Sequence, residues 1–226
     1  MNKKKTLLAA VVLLLVFVVE GAIAYFTDTD TKTNTFTIGN VDITLTEPAW
    51  TELDSTTDAN DNDIPDAAED MMPGETVAKD PTINNVSTKN PAYVFMKVEI
   101  PCSKTVTTTG ATPTTLNPTE LFTYTPNTAW TELSSAAVAC TDSGTATHVY
   151  YYGTGGSLTP LAKAADASTP TSTPALFTQV ALLGTLIPDQ IPATPADKNV
   201  IVTAYGIQTE GLASTTPADV WGYLNN

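Results

Sequence analysis

Residues 92–101 read AYVFMKVEIP. Side chains alternate across an extended chain, so Val94, Met96, Val98 and Ile100 fall on one face and Tyr93, Phe95, Lys97 and Glu99 on the other. Pro101 closes the run because it offers no N–H to a ladder. Upstream, Pro73-Gly74 marks a turn, and Val77–Val86 forms a strand pair with Ala92–Ile100 through the polar stretch Asn84–Asn90. Val41, Ile43 and Leu45 alternate with polar residues as in a half-buried antiparallel strand. Further strands are predicted at Leu121–Tyr124, His148–Tyr152, Leu176–Ala181 and Val200–Gln208, with Ser103–Pro118 and Ala162–Pro174 as loops. Ala129–Ala139 reads as a short helix or an irregular loop, and Thr216-Pro217 as the N-cap and first position of a helix reaching Leu224. Many short strands with few short helices make the fold all-β, a jelly-roll-like antiparallel β-sandwich. No repeat of solenoid or propeller period is visible.

Composition agrees. Of 226 residues, 42 are Thr, a β-branched residue that suits strands and is poor inside helices. Lys and Arg number 10 against 24 acidic residues, a net charge of −14, and all ten cations are Lys. Nucleic acid is thereby excluded as a partner, since there is neither a basic surface nor a guanidinium fork.

Lys3, Lys4 and Lys5 precede an apolar run from Leu7 to Val19, shorter than the roughly 20 residues that span a bilayer. This reads as a signal peptide over residues 1–24, cut between Ala24 and Tyr25, with small Ala22 and Ala24 at the −3 and −1 positions. The other reading is an uncleaved anchor, against which Glu20 interrupts the apolar stretch. On the cleavage reading the membrane is met only transiently, signal peptidase is a partner during export, and residues 25–226 form one secreted domain. That domain opens with an arm, residues 25–37. Thr27, Thr29, Thr31, Thr33, Thr35 and Thr37 share one face, and Phe26, Asp28, Asp30, Lys32, Asn34 and Phe36 share the other. Neither face is apolar enough to demand burial in its own domain, so the arm suits either an edge strand or a free segment.

Cys102 and Cys140 are an even pair in an exported chain, which favours a disulfide over two buried thiols. The segment DANDNDIPDAAED places oxygen ligands at calcium-loop spacing: Asp58, Asn60, Asn62, the Ile64 carbonyl, Asp66 and Glu69. Asp63 stands where the loop's sharp turn favours Gly, so the alternatives are a calcium site and a solvated acidic loop. The chain's one histidine, His148, cannot supply the paired histidines of a zinc peptidase helix. Ser157 sits in a Gly-rich turn without the acid-base partners of a nucleophile. No catalytic set is read from these residues.

The signal segment running into AYFTDTDTKTNTFTIGNVDITL, then KDPTINNVSTKNPAYVFMKVEI, HVYYY, TPALFTQV and VIVTAYGIQTEG, resembles the exported proteins processed by the signal peptidase SipW. That group includes TasA-like biofilm matrix proteins and camelysin, whose family carries a metallopeptidase label. The resemblance implies a jelly roll and, for TasA-like members, fibres in which one subunit's N-terminus completes a neighbour's sheet. On this chain the assembly residues would be Tyr25, Phe26, Thr27, Thr29, Thr31, Thr33, Thr35 and Phe36, and the product an extracellular matrix homopolymer rather than an enzyme. The alternative is a monomeric calcium-stabilised adhesin or glycan-binding module, with Trp50, Trp130 and Tyr150–Tyr152 as stacking faces.

Overall fold

A computed structural model describes residues 41–51, 64–110, 112–192 and 198–225. In chain order the elements are β1 (Ile43–Thr46), β2 (Thr76–Ala78), β3 (Thr82–Asn85), β4 (Ala92–Pro101), β5 (Val106–Thr107), β6 (Thr115–Leu116) and β7 (Phe122–Thr123). There follow β8 (Trp130–Glu132), β9 (Thr145–Thr154), β10 (Ser157–Leu158), β11 (Thr171–Ser172), β12 (Gln179–Leu182), β13 (Ile201–Gln208) and α1 (Pro217–Leu224). All the ladders among them are antiparallel. The molecule is an antiparallel β-sandwich with few short helices.

The principal sheet runs β10-β9-β4-β13, with β8 also paired to β9. β4 lies at its centre, in register with β9 through Val98↔His148 and with β13 through Val98↔Val202. The face bearing Val94, Met96, Val98 and Ile100 is wholly buried against Val77, Ile83, Phe122, Val180 and Leu182. Those partners belong to the opposite layer, built from the ladders β1-β3-β11 and β2-β12-β7. Burying this apolar set is the main stabilising term, about 1.5–3 kcal/mol for each large side chain.

β4's other face is covered as well. Phe95 is fully buried with Val149 and Tyr151 beneath α1, whose Val220 is fully buried and whose Trp221 ring lies 5.6 Å from that of Phe95. Strands buried on both sides read as near-continuous apolar runs, as Tyr93–Met96 does. Lys97 and Glu99, beyond the reach of α1, pair at 3.0 Å. Thr216 caps α1 as its sequence predicts, the hydroxyl accepting from the Asp219 N–H at 3.3 Å, with Pro217 in the first turn.

Several sequence expectations are corrected. Val77–Val86 is not one strand hairpinned to β4: Pro81 splits it into β2 and β3, which pair with β12 and with β1 and β11. The segment after β3 crosses between layers because Asn85, fully buried, holds it by side-chain bonds. Its Nδ2 donates to the Asn90 and Ala162 carbonyls, and its Oδ1 accepts from Ser87 N–H. Within Ala129–Ala139 the chain forms β8 and a 3₁₀ turn, because Trp130 is buried and its indole N–H donates to the Pro174 carbonyl at 3.0 Å. The two expected loops contain the short ladder β5-β6 and strand β11.

Candidate functional site

β13 ends the principal sheet, and among the described residues no strand pairs with its outer edge. Along its length Ile201 is exposed and residues 202–208 are half-buried, whereas its neighbour β4 is largely closed to solvent. Val202 and Ala204 point toward the main core; Tyr205 and Ile207 point toward Trp221 and the α1 side. β1 crosses in front of this strand: a Cβ on Gly206 would stand 3.0 Å from Ile43 Cδ1, so glycine is what lets the two approach.

Where β1 ends and β13 begins, an open groove of about 800 Å³ is lined by Leu45, Pro48, Val200, Ile201 and Val202, with Lys79 and Glu47 in its wall. Lys79 Nζ lies 2.7 Å from Glu47 Oε2 and 5.0 Å from the centre of the Trp50 ring. The buried ammonium is thus paired within the groove. An open strand edge beside an apolar groove is the chemistry that accepts an added strand: the edge offers unmatched N–H and C=O groups, and the groove offers room for a side chain.

A second cluster lies at the opposite side of the principal sheet. His148 on β9 faces Glu132 on β8 through Nδ1 at 2.7 Å and Glu120 through Nε2 at 2.9 Å. Its ring stacks on Tyr150 and meets the edge of Tyr124, and the two tyrosine hydroxyls are 3.2 Å apart. Hydrogen bonding to Glu120 foremost, and then to Glu132, raises the His148 pKa to about 9 against partial burial. The imidazolium donates from both nitrogens. Burial pushes Tyr150 up to about 12 and Tyr124 further still, so both remain neutral.

Residues 2–110 match the family described as camelysin metallo-endopeptidase. Over that span the chain is camelysin-like. The match takes in β1 to β5 and ends before β9, β13 and α1. No curated protein and no solved structure matches the chain.

A metal implied by the camelysin label does not fit the described residues. A catalytic zinc site needs three protein ligands converging on one point. The two glutamates approach His148 from opposite ring nitrogens, so the three cannot share an ion without breaking the cluster. Among the described residues no group of three His, Cys, Asp or Glu side chains is placed to hold a metal.

The other sequence-derived residues divide as follows. Ala22, Ala24, Tyr25, Phe26, Thr27, Thr29, Thr31, Thr33, Thr35 and Phe36 lie outside the described residues, as do Asp58, Asn60 and Asn62. Of the calcium-spaced set, Ile64 is exposed and Asp66 opens a 3₁₀ turn in which the Glu69 N–H donates to the Asp66 carbonyl at 3.2 Å. Cys102 and Cys140 form a disulfide, with Cα atoms 5.7 Å apart. The stacking faces are corrected: Trp130, Tyr150 and Tyr151 are buried, Tyr152 is half-buried with its ring 5.5 Å from that of Trp130, and Trp50 is half-buried under Lys79. Ser157 is exposed and opens β10, paired with Thr154 of β9 across the turn in which Gly155 and Gly156 take positive φ. No described helix is long and apolar enough to cross a membrane. Sequence reading missed Glu120 and Glu132, which stand 28 and 16 positions from His148. It also missed that β13 ends the sheet among the described residues, which only strand order reveals.

Proposed function

We propose that this chain is an exported structural subunit that builds extracellular matrix fibres by donating its N-terminal arm, residues 25–37, to the sheet of a neighbouring copy. The observation that carries this reading is β13, an eight-residue strand at the end of the sheet order with an apolar groove at its start. The camelysin match over residues 2–110 supports membership of an exported group, and the disulfide supports an oxidising destination. Donation follows export in this scheme, because cutting before Tyr25 creates the free end.

Deleting Tyr25–Asn34 tests it. The truncated protein is expected to keep its β-rich circular dichroism and cooperative melt yet give no filaments by electron microscopy. Filaments from the truncated chain would overturn arm donation.

Asp58 to Glu69 is proposed as a calcium loop between β1 and the Pro73-Gly74 turn, Asp66 and Glu69 supplying the later carboxylates. Titration calorimetry is expected to show one site filled at micromolar to millimolar calcium, lost on Asp66→Asn with Glu69→Gln. A flat titration at millimolar calcium removes the site. The monomeric glycan-binding alternative loses its main support with the burial of Trp130, Tyr150 and Tyr151.

A further inference from the structure

The β5–β6 hairpin stands apart from the sandwich. Among the described residues its two strands pair only with each other, and a Cβ built on Gly110, in their connecting turn, would meet nothing within 4 Å. Its composition is as distinct as its position. Residues 105–119 hold eight Thr, two Pro and no charged residue, in a chain of net charge −14. Thr clustered with Pro is the composition of segments that carry O-linked sugars.

The hydrogen bonds separate these threonines from one another. The Thr107 and Thr115 hydroxyls bond each other at 3.3 Å. The Thr108 hydroxyl donates to the Thr114 carbonyl at 3.3 Å and accepts from the Thr114 N–H at 3.1 Å, so Thr108 is spent and Thr114 is fastened by its backbone. The Thr105 N–H donates to the Asp142 carboxylate at 2.6 Å, which sets an anion beside that residue, and Thr119 is half-buried. Thr109 and Thr112 differ from all of these. Both are exposed in the turn, and neither hydroxyl makes a hydrogen bond among the described residues. Pro113 also holds Thr112 to an extended backbone.

We propose that Thr109 and Thr112 are acceptors for O-glycosylation, taking a sugar activated through its anomeric phosphate. In the transfer the Thr Oγ1 attacks the anomeric carbon and forms the new C–O bond. The bond from that carbon to the phosphate oxygen breaks, the phosphate leaves with the electron pair, and the hydroxyl proton passes to a base of the transferase. The donor is anionic, so an acceptor segment without carboxylates escapes the repulsion that the acidic surface imposes elsewhere. A transferase needs its acceptor extended and accessible. A lone hairpin of two-residue strands is marginal by itself and opens without disturbing the core. The modification is independent of strand donation.

Intact mass spectrometry of the chain purified from the cells that make it tests the assignment. The expected mass exceeds that of the polypeptide by whole hexose or acetylhexosamine increments, which electron-transfer fragmentation places on Thr109 and Thr112. The double variant Thr109→Val, Thr112→Val keeps β-branched shape at two exposed positions and is expected to retain the parent's melt while losing the excess. Thr109→Ser with Thr112→Ser, which keeps both hydroxyls, is expected to retain part of it. Sugar already present on chain that retains residues 1–24 identifies a nucleotide-linked donor inside the cell; sugar confined to chain lacking them identifies a lipid-linked donor outside. An unmodified polypeptide mass, a phosphate-sized excess, sugar on other residues only, or an excess that survives in the valine variant overturns the proposal.

Discussion

His148 shows how one side chain ties three segments of the sandwich together. Its two ring nitrogens bind glutamates from β8 and from the residue preceding Leu121, so the imidazolium is worth most while charged. Folded, its pKa is about 9 against an ordinary 6.5, so the folded state holds this proton more tightly than the unfolded chain does. The contribution is therefore present in full below about pH 6.5 and is lost as pH rises through about 9. With the glutamates partly solvated, about 1–2 kcal/mol is a realistic size after screening. Thermal melts between pH 6.5 and 10 are expected to show the parent losing stability across this window and His148→Gln losing markedly less; parallel curves would count against the cluster. None of this is legible in the sequence. A lone histidine among alternating residues predicts a strand position, and its partners become neighbours only once β8 and β9 are in register.

At the level of elements, alternation located what burial enforces. β4, β9 and β13 fall where apolar periodicity places them, and the Thr216-Pro217 cap announces α1. Partner choice was harder to read. Val77–Val86 and Ala92–Ile100 look like a hairpin because proximity in sequence favours pairing, yet the buried amide of Asn85 binds backbone some 77 positions away and turns the chain into the other layer. Likewise, the outer face of β4 carries Tyr93 and Phe95 because α1 covers it, a partner more than a hundred residues distant in the chain. The disulfide acts at this scale: it fastens the end of β4 to the loop preceding β9, across 38 positions. Constraining a loop of that length in the unfolded chain is worth about 3–4 kcal/mol. Replacing both cysteines by serine is expected to lower the urea midpoint accordingly while leaving the β-sheet circular dichroism intact, and an unchanged midpoint would mean that the bridge contributes no stability.

At the scale of the whole molecule, the proposed fibre would have to assemble against its own charge. The full chain carries −14; with the leader removed before Tyr25, three Lys and one Glu are lost, leaving 7 − 23 = −16. Copies of such a chain repel one another over about 30 Å at 0.01 M salt but only about 8 Å at physiological ionic strength. On the proposed reading, strand addition draws its attraction from backbone hydrogen bonds and apolar contact, neither of which salt screens, while the repulsion is screened strongly. The balance fixes a sign: filament growth is expected to accelerate severalfold between about 10 and 150 mM sodium chloride, as followed by light scattering. Were the subunits joined chiefly by charge pairs, the same series would slow growth, since salt would weaken the attraction along with the repulsion. Calcium compared with magnesium at equal ionic strength adds a second reading to the same experiment. Acceleration by both to the same degree points to screening of the acidic surface, whereas a further gain with calcium that disappears in the Asp66→Asn, Glu69→Gln chain places the effect at the acidic loop.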